Sequence, residues 1–142
     1  MRTLGIDFGE RHIGLAISDP EGRLAVPLVT FERTSDRQAV GRIAAIAREE
    51  GVSRLVLGDP VKVAGGPGEM AERVARFADK LRRRTALPVV MIPEALTSVE
   101  AERRLRQAGV NTRLARQHID AVAAQILLQE ALDLWRGPEE VS

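Results

Sequence analysis

Three carboxylates stand where apolar structure would not ordinarily place them. Asp7 interrupts the run Thr3-Leu-Gly-Ile-Asp-Phe-Gly9, between Ile6 and Phe8. Glu94 follows the apolar run at 87–92 by two residues, after Pro93. Asp120 falls within Ile119-Asp-Ala-Val-Ala-Ala-Gln-Ile-Leu-Leu128. A buried carboxylate is costly unless it meets a cation, a donor or water. The chain has no cysteine and two histidines, which excludes disulfides, thiolate metal sites and cysteine nucleophiles. Converging carboxylates would instead form a hard, oxygen-ligand site suited to Mg²⁺ or Mn²⁺. The substrate such a site suits is phosphate, since a metal pair ~4 Å apart can activate water and steady the leaving oxygen. Taken singly, Asp7 and Asp120 would serve as well in structural ion pairs with arginine. Taken together with the topology, the three favour the metal site.

The elements that must bring them together can be read from periodicity. Residues 3–9 and 13–19 are short strands joined by Glu10-Arg11-His12, which is hairpin spacing. Asp19-Pro-Glu-Gly22 makes a second turn into a strand over 24–31, and Pro27 predicts that this strand is an edge. The period then changes. Thr34-Ser-Asp36 offers helix caps, and Val40, Ile43, Ala44, Ile46 and Ala47 share a helical face that Gly51 ends. A strand over 54–58, a loop holding Gly65-Gly-Pro-Gly68, a helix over 69–84 and a strand over 87–92 follow. Thr97 and Glu100 have capping-box spacing for a helix ending at Gly109. The last helix runs from 112 or 113 to Trp135. This β-β-β-α-β-α-β-α-α order predicts an α/β fold, a five-stranded mixed sheet with helices on both faces. In it the first and fifth strands would lie centrally with their carboxyl ends together, and the last helix would bring Asp120 to them.

A length of 142 residues allows one domain, spanning 1–142, with one core. Hydrophobic residues make up 44% and charged residues 29%, ordinary for a soluble globular protein. No apolar run approaches the ~20 residues of a membrane span, and no signal segment opens the chain. The expected location is the cytoplasm, with no membrane partner. Net charge is +1, yet residues 80–118 carry nine basic and three acidic groups. Such a block is either a phosphate-facing surface or a solvated helix face. Nineteen of the 21 basic residues are arginine, which suits bidentate phosphate contacts.

Four segments, in order, resemble the YqgF/RuvX family. They are Gly5-Ile-Asp-Phe-Gly with the Ile13-Gly-Leu-Ala that follows, Gly58-Asp-Pro60, Glu94-Ala-Leu-Thr-Ser-Val-Glu-Ala101, and His118-Ile-Asp-Ala-Val-Ala-Ala-Gln-Ile-Leu-Leu-Gln129. The resemblance spans residues 4 to about 133. It implies an RNase H-like fold related to RuvC-type Holliday junction resolvases, and a nuclease that processes the 5′ end of pre-16S rRNA or resolves branched DNA. It also implies that Asp7, Glu94 and Asp120 are the metal-binding catalytic carboxylates, with Arg11 a phosphate contact. The chain departs from the family at Pro93-Glu94-Ala95, where an acidic residue and an arginine are usual, and at Ala64, where the family has Asp. Asp59 is an added carboxylate that either compensates or is a plain loop residue.

Nucleic-acid contacts are expected at Arg11, Lys62, Arg103, Arg106, Arg113, Arg116 and His118. On a helix His118 points about 200° from Asp120, so it serves either as a phosphate contact or as a surface residue. His12 reads as surface, and Arg82-Arg-Arg84 as a complement to a helix dipole. With four aromatics, Phe8, Phe31, Phe77 and Trp135, stacking on bases cannot be the main binding mode. Backbone and shape recognition of structured RNA or branched DNA fits better, with ribosomal particles as further partners. Resolving a junction would call for a homodimer presenting two sites. Two other classes remain open. One is a nucleic-acid-binding module without catalysis, which would bind in Asp7→Asn form and never turn over. The other is a phosphotransferase of the actin-like kind, which would need a second such domain to clasp a nucleotide.

Overall fold

The computed structural model describes residues 1–60, 68–93 and 112–136, together with positions 103 and 107, and residues 112–118 by their backbone. The elements are β1 (Arg2–Phe8), β2 (His12–Ser18), β3 (Ala25–Glu32), α1 (Asp36–Glu49), β4 (Val52–Asp59), α2 (Glu69–Thr85), β5 (Val89–Pro93) and α3 (Thr112–Arg136). Of the helix expected over 97–109, positions 103 and 107 are described and are helical, while its capping box lies outside the described residues.

Five strands form one mixed sheet in the order β3-β2-β1-β4-β5. β2 is antiparallel to β1 and β3, whereas β4 is parallel to β1 and β5 is parallel to β4. The carboxyl ends of β1, β4 and β5 therefore share one end of the sheet. β1 is central, as expected, but β5 is an edge strand, separated from β1 by β4. Sequence alternation reports which face a residue takes and says nothing about which strand lies beside which. β3 is the other edge. Leu15 pairs with Val29 and Ala16 with Pro27, so Leu28 is the extra residue of a bulge beside the proline.

The two faces of the sheet differ in size, and this decides how the helices sit. Leu4, Ile6, Phe8, Ile13, Leu15 and Ile17 project to one side and pack with α1 and α2 in a large core containing Phe77 and Leu81. The α1 face expected from periodicity is buried, with Ile46 packed at its margin. Ser35 caps α1 by accepting from the Gln38 N–H at 3.1 Å. The opposite faces of β1 and β2 carry small or polar residues: Gly5 and Asp7 on β1, and Gly14, Ala16 and Ser18 on β2. On that side α3 lies low, burying Ala124, Leu127, Leu128, Ala131 and Leu132 against Ala16, Val56 and Ile92. The lower end of α3 is tied down by Gln129, whose amide oxygen accepts from Ala25 N at 2.9 Å and whose nitrogen donates to Arg23 O at 2.9 Å. Trp135 is half covered, with the Arg54 guanidinium 3.4 Å from its ring centroid. No described helix is long and apolar enough to cross a membrane.

Candidate active site

Asp7 is the penultimate residue of the central strand, 5% exposed, on the face covered by α3. Across the sheet it pairs with Gly14, which pairs in turn with Thr30 on β3. The row Asp7–Gly14–Thr30 is the seat on which α3 rests. A β-carbon built on Gly14 would stand 2.5 Å from Ala121 N and closer still to the Asp120 carbonyl, so helix backbone lies directly on the glycine. One turn and two turns further along, a β-carbon built on Gly5 would meet Ala124 O and Leu128 Cβ at 3.0 and 2.8 Å. Thr30 completes the seat, its Oγ1 accepting from Ala121 N at 3.1 Å. The first strand and the last helix thus place Asp7 and Asp120 beside each other.

Thr30→Val keeps the shape of that side chain and removes the acceptor. We expect a loss of about 1 kcal/mol in unfolding free energy, measured by urea denaturation, with cleavage impaired more than stability because Asp120 shifts. Unchanged kinetics alongside that stability loss would show that the bond holds the fold and not the site.

Electrostatics at the pair are unfavourable to two charges. The Asp120 carboxyl is pushed above its ordinary value, first by burial and then by the Asp7 carboxylate, while His12 works in the opposite direction. His12 is exposed at the start of β2, on the same face as Gly14 and two residues from it. Its place in a turn suggests plain surface. The hairpin register was the signal that would have found it, because pairing Asp7 with Gly14 puts residue 12 on the face of Asp7. Two mutually repelling carboxylates, one buried and one half-buried, are a donor set that a hard divalent cation would satisfy. Among the described residues no third His, Asp or Glu joins them in a metal-sized group, and Glu94 lies outside those residues. Asp59 does not take its place. Leu55 and Leu57 face α1 and α2 while Val56 faces α3, so alternation turns Asp59 away from Asp7.

The turn after β1 is held from the other side of the sheet. Arg33 donates through Nε to Glu10 O at 3.0 Å and pairs with Asp36 at 3.1 Å, while Arg73 pairs with the Glu10 carboxylate at 3.1 Å. Both guanidinium groups lie over the Phe8 ring, at 5.5 and 5.9 Å. Arg11 is exposed in this turn, with its carbonyl accepting from Arg33 N at 2.8 Å. Arg103 is exposed at a helical position. Arg113, Arg116 and His118 belong to the turns of α3 preceding Asp120, and Lys62 and Arg106 lie outside the described residues.

The chain is similar to known proteins over nearly its whole length. A family model described as "RuvX: Holliday junction resolvase" matches residues 1–134. A Chloroflexus aggregans protein named "Putative pre-16S rRNA nuclease" is 45% identical over 135 residues, covering 95% of each chain. A Myxococcus xanthus protein of the same name is 40% identical over 139 residues, 98% of this chain and 92% of its own. Two solved structures share the fold. T. thermophilus RuvC in complex with a Holliday junction substrate has a TM-score of 0.53 at 19% identity, covering 96% of both chains. The large terminase nuclease from thermophilic phage G20c has a TM-score of 0.57 at 13% identity, covering 92% of this chain and 81% of its own.

Proposed function

The chain belongs to the RuvX family, and from that premise we propose that it is a metal-dependent nuclease processing the 5′ end of pre-16S rRNA in the cytoplasm. The observation that carries the reading is the juxtaposition of Asp7 and Asp120 across Gly14, at the carboxyl end of the central strand. Asp7, Asp120 and Glu94, which follows β5 directly in sequence, would hold Mg²⁺ or Mn²⁺. Bound there, the ion would supply a lowered pKa for the attacking water and compensation for charge on the leaving 3′ oxygen.

The chain's own residues do the rest. Asp7, set in a buried strand, fixes one ligand direction, and the glycine seat fixes Asp120 relative to it. Arg11, exposed in the adjoining turn, would meet a phosphate, and Arg113 and Arg116, which precede Asp120 in the chain, would add further phosphate contacts. His12, on the same face, acts against the rise of the Asp120 carboxyl and so moderates the pair's repulsion. A four-way DNA junction is the second substrate class, favoured by the family description. Cutting it symmetrically would take a homodimer, since each copy carries one such site. Ribosomal particles would be the setting in which the RNA is met.

The test is cleavage of end-labelled pre-16S 5′ leader RNA and of a synthetic four-way DNA junction, side by side in Mg²⁺, Mn²⁺ and EDTA. The expected result is metal-dependent cutting of the RNA that disappears in Asp7→Asn. Cutting of the junction alone would replace the RNA substrate with branched DNA. Binding without cutting of either would overturn the nuclease reading in favour of a binding module.

A further inference from the structure

The face of the sheet opposite the carboxylates holds a cleft of about 520 Å³ between α1 and α2, lined by Arg37, Val40, Gly41, Lys80 and Arg84. Three of its five lining residues are cations and none is acidic. Lys80 shares the Asp36 carboxylate, at 3.0 Å, with Arg33. Arg37 and Arg84 form no ion pair with a described residue. Like charges gathered in a concavity repel, and a helix surface with no task would have dispersed them.

Gly41 is the second and independent observation. It occupies the interior of α1, where glycine weakens a helix relative to alanine. Other glycines in this fold have a local account: a β-carbon would strike helix backbone or side chain at Gly14 and Gly5, φ is positive at Gly22 and Gly51, and Gly68 caps α2. At Gly41 a β-carbon would meet nothing within 4 Å. No packing inside the protein requires the missing side chain, yet it is missing from the lining of the cationic cleft. A ligand drawn close against the α1 backbone accounts for both features.

We propose that this cleft is a second nucleic-acid contact, gripping the phosphate backbone of the substrate away from the cutting site. The identity of the ligand rests on the nuclease reading above. Position supports it. β3 runs in the same direction as β1, so α1 begins at the end of the sheet that carries Asp7. The chain of contacts Lys80–Asp36–Arg33–Glu10 joins the cleft to the turn that follows Asp7. A strand flanking the cut would pass over that turn and lie between Arg37 and Arg84. Few aromatics and many arginines fit a grip on backbone rather than on bases. Arg84 acquires a phosphate to bind in addition to complementing the dipole of α2.

The test is binding, in EDTA and in an Asp7→Asn background, of a fluorescein-labelled RNA hairpin with a 5′ single-stranded extension. This readout does not depend on cleavage, so the cleft and the nuclease reading can fail separately. Arg37→Glu with Arg84→Glu should weaken binding by roughly tenfold or more and lower the log–log salt slope by about two. Arg48→Glu with Arg83→Glu, the same charge change at exposed helix positions outside the cleft, should weaken it far less. Gly41→Gln, which fills the cleft without altering charge, should also lose affinity while the melting temperature does not fall. Equal losses in the two charge-reversed proteins would overturn the proposal in favour of diffuse electrostatics. Wild-type affinity in Gly41→Gln would overturn the seating of the backbone in the cleft. Tripolyphosphate binding that follows the cleft variants while RNA binding does not would reassign the site to free polyphosphate.

Discussion

Gly14→Ala is expected to unseat α3 and abolish cleavage, a large loss from a single methyl group. The added carbon would collide with the Asp120 carbonyl and with Ala121 N. Both are backbone atoms in a helix whose apolar face is buried along the sheet, so no side-chain rotation relieves the overlap. The helix must rise, and Asp120 rises with it. Overpacking of a core typically costs about 1–3 kcal/mol; a backbone collision belongs above that range, with a melting temperature lower by roughly 10 °C. Gly5→Ala makes the comparison, because its carbon would meet Leu128 Cβ at 2.8 Å and Ala124 O at 3.0 Å. These overlaps are milder, and the loss should be well under half as large. Thermal melts of the two variants with a cleavage assay decide the matter. A Gly14→Ala protein as stable and active as its parent would mean that α3 does not rest on β2 as described.

Asp120→Asn should separate stability from activity, moving them in opposite directions. The Asp120 carboxyl is raised by burial and by Asp7, so the folded protein holds this proton more tightly than the unfolded chain. Its favourable contribution is complete below the ordinary carboxylate value of 3.8 and is lost as pH rises through the elevated one. At pH 7 the metal-free fold therefore carries the cost of a second charge beside Asp7, which an amide removes. The variant should melt a few degrees higher than the parent at pH 7, and the gap should close as pH falls and Asp120 takes up its proton. Mn²⁺ should raise the melting temperature of the parent and have much less effect on the variant. Cleavage should fall by more than the roughly hundredfold typical of losing a group behind a metal ligand. A variant less stable than the parent at pH 7 in EDTA would show that the carboxylate is supported by the fold rather than strained by it.

The site was legible in the sequence to the extent that charge in apolar surroundings is conspicuous. Asp7 and Asp120 announced themselves because Ile6, Phe8 and Ile119 flank them, and nothing about the sheet was needed to notice it. The hairpins followed from turn spacing, and the edge position of β3 from Pro27. The placement of β5 beside β4 did not follow, because both strands are short apolar runs with no pattern naming a neighbour. The seat of α3 was equally hidden. Gly5, Gly14 and Thr30 are unremarkable singly, and only strand pairing makes a row of Asp7, Gly14 and Thr30. His12 resembled a turn residue for the same reason. Arg37 and Gly41 on α1 lie more than 40 residues from Arg84 on α2 in the chain, so their meeting depends on helix packing.

One feature of the architecture also governs when a copy of the protein acquires its chemistry. Asp7 is delivered by the first strand and Asp120 by the last helix, more than a hundred residues later. While the chain emerges from the ribosome, β1 to β5 can be out with nothing yet to cover Ala16, Val56 and Ile92 on one face of the sheet. Such a partial chain lacks half of the carboxylate pair and exposes apolar surface that favours recapture or degradation. A translation product broken off before α3 is therefore expected to be inert and prone to degradation. An enzyme whose substrate is ribosomal RNA would in this way be harmless to the particle making it until its last helix has emerged and docked.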